Sequence, residues 1–135
     1  MSFVLDCSVT LSWYFTDERT TATEALLQSV AARGAVAPVL WRLEVANGLQ
    51  MAVRRKRIDK AYRDVSLDDL AVLPVEIEFD SVTFKADIVR LADRHDLTIY
   101  DAVYLELALR RRLPLATLDK ALRGAMRAAN AQVLP

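Results

Sequence analysis

Four carboxylates in this 135-residue chain fall either just after a short apolar run or within the first two turns of a helix-like stretch: Asp6, Glu44, Asp101 and Asp119. Side chains placed that way can meet at one edge of a sheet, because sites in open parallel sheets form beyond the carboxyl ends of the strands. Four acids brought together repel one another, and some of them then keep their protons at neutral pH. A divalent cation removes that cost. The cluster is therefore either absent from the fold or built for a metal. Ligands that are all oxygen suit Mg²⁺ or Mn²⁺ and not Zn²⁺. A hard ion in such a setting polarises a phosphate and lowers the pKa of a water, so hydrolysis of a phosphodiester is the natural chemistry.

Each acid also has a plainer role open to it. Asp6 and Asp119 suit helix N-caps. Thr98-Ile99-Tyr100-Asp101 matches a capping box, in which Asp101 would bind back to Thr98. Glu44 could be a solvated helix residue. Two features weigh toward chemistry. Asp101 shares a mostly apolar helical stripe with Leu105, Ala108 and Arg112, and Glu44 shares one with Leu40, Asn47, Gly48 and Met51. Acids on apolar stripes are rare unless they are paired or bind metal.

Other chemistries are poorly supplied. The chain has one cysteine, Cys7, and one histidine, His95. A disulfide, a two-cysteine redox centre and a two-histidine acid–base pair are all excluded, and zinc is poorly supported. Cys7 reads as a small buried residue. His95 reads as a surface or end-of-helix residue, where a cation is favoured. Ser8, Thr10 and Ser12 have no evident His–Asp partner set.

The elements that must position the acids alternate in type. Phe3-Val4-Leu5, Ala35-Val36-Ala37, Leu73 to Ile77, Leu115-Ala116-Thr117 and Gln132-Val133-Leu134 read as short strands. Helices are expected over about 8–15, 19–33, 39–56, 59–73, 81–95, 99–112 and after Asp119. Gly34 stops the second of these, and Pro38 can open the third. The pair between 39 and 73 lacks an intervening strand and is expected to form an αα-hairpin. Short strands alternating with helices predict an α/β fold, a short parallel β-sheet flanked by helices in a doubly wound three-layer arrangement. One domain over 1–135 is expected. Hydrophobic residues at 53% and charged residues at 27% are a globular composition. No apolar run reaches the ~18–20 residues of a membrane span, and no signal peptide is evident. A cytoplasmic protein with no membrane partner is the expectation.

Eighteen Lys and Arg balance eighteen Asp and Glu, for a net charge of zero. That argues against a general nucleic-acid glue, which would be basic. It leaves room for local basic patches around an acidic site that takes an anionic substrate. The candidates are the runs Arg54-Arg55-Lys56-Arg57 and Arg110-Arg111-Arg112, and Arg123 with Arg127. Arg54, Arg55, Arg112 and Arg123 are the side chains singled out for substrate binding. Solvated helix ends are the plainer account of each run.

Four stretches resemble a known family. Val4-Leu5-Asp6-Cys7-Ser8-Val9 resembles the opening Asp-x-Ser motif of PIN-domain nucleases. Leu43-Glu44-Val45-Ala46-Asn47-Gly48-Leu49 resembles their second acidic motif. Thr98 to Ala108, with Asp101 inside it, is similar to the third, and Leu115-Ala116-Thr117-Leu118-Asp119 to the fourth. Order, spacing and length resemble the VapC-type toxins of toxin–antitoxin pairs. The resemblance implies a PIN-like domain and an Mg²⁺- or Mn²⁺-dependent endoribonuclease that leaves 5′-phosphate and 3′-hydroxyl ends. Asp6, Glu44, Asp101 and Asp119 would then hold the metal, with Ser8, Thr117 and Asn47 ordering the site. It also implies an RNA substrate, a homodimer, and a VapB-type antitoxin lying in an apolar groove. Trp13, Tyr14, Phe15, Trp41 and Met51 are candidate groove residues, or else core.

Two other readings remain open at this stage. One is a receiver-like phosphoacceptor domain, for which Glu78-Phe79-Asp80 offers a weak acidic site. The other is a non-catalytic PIN-like interaction module whose acids are only caps.

Overall fold

The computed structural model describes residues 2–135. Buried Val4 and Leu5 form β1 (Val4–Leu5), the centre of a five-stranded sheet. The other strands are β2 (Ala35–Pro38), β3 (Val75–Glu78), β4 (Leu115–Ala116) and β5 (Val133–Leu134). All pairings are parallel and the order is β3-β2-β1-β4-β5. Fully parallel sheets are covered on both faces, so the inner strands read as apolar runs rather than alternating ones. β1, β2 and β4 are buried at every position.

The helices are α1 (Cys7–Ser12), α2 (Thr21–Arg33), α3 (Leu40–Arg54), α4 (Lys60–Ala71), α5 (Lys85–His95), α6 (Ile99–Arg111) and α7 (Lys120–Ala128). From β1 the chain steps outward to β2 and β3, then returns past β1 to β4 and β5. Right-handed crossovers put the two sets of helices on opposite faces of such a sheet. The packing of α1 against α3, and of α6 against α7, agrees with that. The doubly wound α/β expectation therefore holds, and α3 and α4 pack together as the expected αα-hairpin. The reversal of strand order falls between β1 and β4. A receiver-like sheet runs 2-1-3-4-5, so the receiver alternative fails on topology.

Local signals explain most helix starts. Thr20 and Thr23 form a reciprocal capping box at α2. Asp59, Thr98 and Asp119 accept the N–H three residues on, at 2.8, 3.1 and 2.9 Å. Several boundaries differ from expectation: α1 already ends at Ser12, and β3 runs Val75–Glu78 rather than from Leu73. Pro38 ends β2 instead of opening α3. It has no N–H to give, and the Val39 N–H next to it donates to the Glu78 carbonyl at 3.0 Å. The helix expected from 81 begins as a short 3₁₀ turn, Asp80–Val82, and turns α-helical only at Lys85.

The main core joins the sheet to most of the helices and includes Leu5, Val9, Trp13, Trp41, Leu49, Tyr104, Leu107, Leu115 and Met126, while a smaller cluster of Ile88, Ala92, Ala102 and Val103 joins α5 to α6. Trp13 and Trp41 are buried and donate to the Thr23 carbonyl and the Thr10 hydroxyl at 2.8 and 2.9 Å. Phe15 is buried as well. These three belong to the core, although Trp41 and Phe15 also line surface clefts, whereas Tyr14 and Met51 stay half-buried.

Candidate active site

The register of the central strands builds the site from below. Leu5 pairs with Ala116, so the next residues, Asp6 and Thr117, emerge side by side at the carboxyl edge. The Asp6 N–H donates to the Ala116 carbonyl at 3.0 Å, and the Thr117 hydroxyl donates to Asp6 Oδ2 at 2.7 Å. Ser8, in the first turn of α1, donates to the same oxygen at 2.6 Å. The Ser8 hydroxyl also accepts the Leu118 N–H at 2.9 Å, and the Thr117 hydroxyl accepts that of Asp119 at 3.0 Å. Asp6 is thus 5% exposed yet held by two hydroxyls, and these two lock the chain leading to Asp119.

Glu44 and Asp101 arrive from opposite layers. Glu44 lies in the second turn of α3, half-buried, and accepts from the Tyr104 phenol at 2.7 Å. Asp101 lies in the first turn of α6. The Thr98 hydroxyl accepts the Asp101 N–H, but the reciprocal half of a capping box is absent. Its carboxylate lines the cleft, with the Thr98 side chain as a hydrogen-bond partner. Asp6, Glu44, Asp101 and Asp119 line one open cleft of about 390 Å³, with Cys7, Ser8, Leu11, Glu18 and Leu118. The topological switch between β1 and β4 is where such a cleft is expected.

The electrostatics match a set of crowded acids. Burial raises the pKa of Asp6, and the Ser8 and Thr117 hydroxyls partly offset it. Burial also raises Glu44, with Asp6 and Asp101 adding repulsion against the relief from Tyr104. Asp101 is raised by burial, then by Asp119 and Asp6. The Cys7 thiol is pushed up by burial and by three of these acids, so it stays a thiol. A carboxylate whose pKa is higher in the folded than in the unfolded chain stabilises the fold below the unfolded value and loses that contribution as pH rises through the folded one. Metal-free protein is therefore expected to lose stability as pH climbs above about 4, where unfolded carboxylates titrate. Asp101→Asn is expected to flatten that slope. Melting temperature against pH in chelator checks this, and a wild-type slope identical to that of the variant would count against the crowding.

The donor set fits a hard divalent ion. All four ligand candidates are carboxylates, and among the described residues none of them is ion-paired. The buried acids elsewhere are treated differently: Glu78 and Glu106 share Arg110, at 3.2 and 2.8 Å. Asp6 turns one oxygen to its hydroxyl partners, and Glu44 turns one to Tyr104, so each has an oxygen to spare. As they stand, no three His, Cys, Asp or Glu side chains among the described residues form a group that could hold an ion. The acids ring an open cleft rather than close a cage.

The remaining predicted residues fall elsewhere. Asn47 is exposed, one turn beyond Glu44, and is not among the cleft residues. Arg54 ends α3 and Arg55 follows it, about 15 Å along the axis from Glu44 at 1.5 Å per residue. Arg112 ends α6 beside Pro114, at the opposite edge of the sheet from Asp101. Arg123 donates to the carbonyls of Thr117, Leu134 and Pro135 at 2.9, 3.3 and 3.0 Å, and so ties down the ends of β4 and β5. The run Arg110-Arg111-Arg112 is also largely structural, since Arg110 clamps Glu78 and Glu106 while Arg111 pairs with Glu76 at 3.0 Å. Sequence reasoning missed Glu18, a fifth acid at the cleft, and the role of Tyr104. Arg57, the last residue of the basic run from Arg54, was not singled out; it pairs with Glu18 at 3.1 Å and lies over the Phe15 ring. No local pattern marks Glu18 or the Tyr104 contact.

Comparison with known proteins agrees with this geometry. A sequence search of curated proteins finds no match. Solved structures with the same fold include PAE2754 from Pyrobaculum aerophilum, at 21% identity and TM-score 0.70, covering 93% of this chain and 84% of that one. FitAcB from Neisseria gonorrhoeae matches at 17% identity and TM-score 0.68, over 98% and 96% of the two chains. VapBC2 from Rickettsia felis, bound to a DNA fragment from its promoter, matches at 13% identity and TM-score 0.67, over 98% and 97%. The family model described as PIN domain matches residues 3–126. With nearly the whole chain matched and the acids gathered at the switch point, this protein belongs to the PIN domain family.

Proposed function

We propose that the protein is a VapC-type toxin, an Mg²⁺- or Mn²⁺-dependent endoribonuclease neutralised by a cognate VapB-type antitoxin. One observation carries the reading: four unpaired carboxylates from four separate stretches of chain line a single cleft. Asp6, Glu44, Asp101 and Asp119 are the residues proposed to hold the ion. When bound, the ion supplies Lewis-acid polarisation of the phosphodiester and lowers the pKa of a water. The chain's own part is to preorganise the acids. Ser8 and Thr117 keep Asp6 oriented, and the same hydroxyls set the backbone that presents Asp119.

The partner assignment draws on the neighbours, which include a toxin–antitoxin complex from Klebsiella pneumoniae at 18% identity and TM-score 0.63 over 91% of this chain and 92% of that one. Exposed apolar side chains lie close to the acids in sequence, Leu43 next to Glu44 and Ile99 and Tyr100 just before Asp101. If they form one contiguous patch, it would suit a second copy or an antitoxin. No helix among the described residues is long and apolar enough to cross a membrane, which is compatible with work in the cytoplasm. Arg54, Arg55 and Arg112 would meet RNA only if it extends well beyond the cleft.

The test is direct. Purified protein is expected to cleave RNA with Mg²⁺ or Mn²⁺, to stop in chelator, and to leave 5′-phosphate ends. Cleavage unaffected by chelator would refute the reading. Saturating Mn²⁺ is also expected to raise thermal stability, by ~2.7 kcal/mol at a hundredfold excess over its dissociation constant. A melting curve that Mn²⁺ leaves unmoved would favour a PIN-like interaction module instead.

A further inference from the structure

We propose that Tyr104 is a positioning residue that aims the Glu44 carboxylate into the acidic cleft. This inference rests on the metal-dependent reading above and adds a residue to it. Tyr104 lies in α6, one turn beyond Asp101 and on the same face. Its side chain is completely buried in the main core. Packing alone would be served as well by Phe. A buried phenol needs a hydrogen-bond partner, and here that partner is Glu44 Oε1 at 2.7 Å, across sixty residues of sequence.

The contact joins the two helical layers at the site. Glu44 comes from α3, which packs with α1, whereas Tyr104 comes from α6, which packs with α7. Glu44 is half-buried and has three rotatable bonds, and among the described residues no cation holds it. Asp6 and Asp101 both repel it. Left to itself it would swing out to water. The phenol takes one carboxylate oxygen and leaves the other for the cleft. Burial and the charges of Asp6 and Glu44 raise the phenol pKa, so Tyr104 keeps its proton and stays a donor. Ser8 and Thr117 do the same for Asp6. Each of the two acids is thus anchored by hydroxyls on one oxygen.

The experiment is a double-mutant cycle on the full chain with Tyr104→Phe, Glu44→Gln and both together. Mn²⁺ affinity is read by calorimetry, and folding is read by melting in chelator. Tyr104→Phe is expected to weaken Mn²⁺ binding about tenfold or more, the usual loss when a hydrogen bond to a metal ligand is removed. Its melting point in chelator is expected to stay near that of wild type. In the Glu44→Gln background the same substitution is expected to add nothing. RNA turnover is expected to fall in kcat with KM nearly unchanged, because the buried ring cannot touch substrate. Unchanged Mn²⁺ affinity in Tyr104→Phe would overturn the inference alone, and so would an equal loss in both backgrounds. A wild type that binds no Mn²⁺ would overturn the metal-dependent reading and this inference with it.

Discussion

Asp101→Asn is expected to reduce RNA cleavage by more than the ~10–100-fold typical of losing a group that only supports a ligand. The metal-free protein is expected to melt no lower than wild type. The two halves belong together. The Asp101 side chain has little part in the cap, since it is the Thr98 hydroxyl that accepts the helix N–H, and the carboxylate meets only the Thr98 side chain in return. Its carboxylate pKa is raised by burial, by Asp119 and by Asp6, so the charge opposes folding while the ion is absent. An amide keeps the shape and removes the repulsion. The Mn²⁺-induced rise in melting temperature is expected to shrink in the same variant. RNA cleavage assays and paired melts with chelator and Mn²⁺ check all three. Full cleavage with a lowered melting point would mean that Asp101 serves the helix start and not the chemistry.

Gly34→Ala is expected to carry a large stability loss. Gly34 has φ +79° and ψ 179° at the turn from α2 into β2, a region that is essentially glycine-only. A Cβ there would sit 2.8 Å from the Pro74 carbonyl oxygen, which is backbone and cannot swing away. That carbonyl also accepts the Ala35 N–H at 3.3 Å, where β2 and β3 begin to pair. Backbone strain of ~1–3 kcal/mol and overpacking of ~1–3 kcal/mol sum to roughly 4 kcal/mol. For a chain of this size that is about 10 °C in melting temperature. Cleavage is expected to suffer with it, because β2 leads directly into the α3 turn that carries Glu44. Gly124→Ala is the control. Gly124 lies in α7 with nothing within 4 Å of an added Cβ, so the change is expected to stabilise by up to ~1 kcal/mol. Equal effects at the two glycines would refute the argument.

The chemistry-bearing residues were legible because each is tied to a local event. Asp6 follows the last residue of a buried strand, Asp119 caps a helix, and Asp101 sits in a first turn. Apolar runs and caps are read within a few residues, and the switch-point rule does the rest. The roles of the arginines were not legible in this way. A basic run looks the same whether it faces solvent, an RNA or an acid of its own fold. Arg110 proved to hold Glu78 and Glu106, Arg111 holds Glu76, and Arg123 holds the carbonyls at two strand ends. Pro38 misled for a related reason. A proline suits the end of a strand as well as the start of a helix, and only the pairing with Glu78 decides between them.

By itself, then, the chain's order of residues determined the alternation of strand and helix, the parallel sheet, and the four acids that its carboxyl edge would present. These follow from periodicity, capping and burial, which act over one or two turns. The tertiary structure alone decided which partner each polar group would meet: Tyr104 under Glu44, Thr117 beside Asp6, Glu18 at the cleft with Arg57 behind it. Those contacts depend on strand register and on how helices cross the sheet. Both are settled by the packing of the whole core, so no short window of sequence contains them.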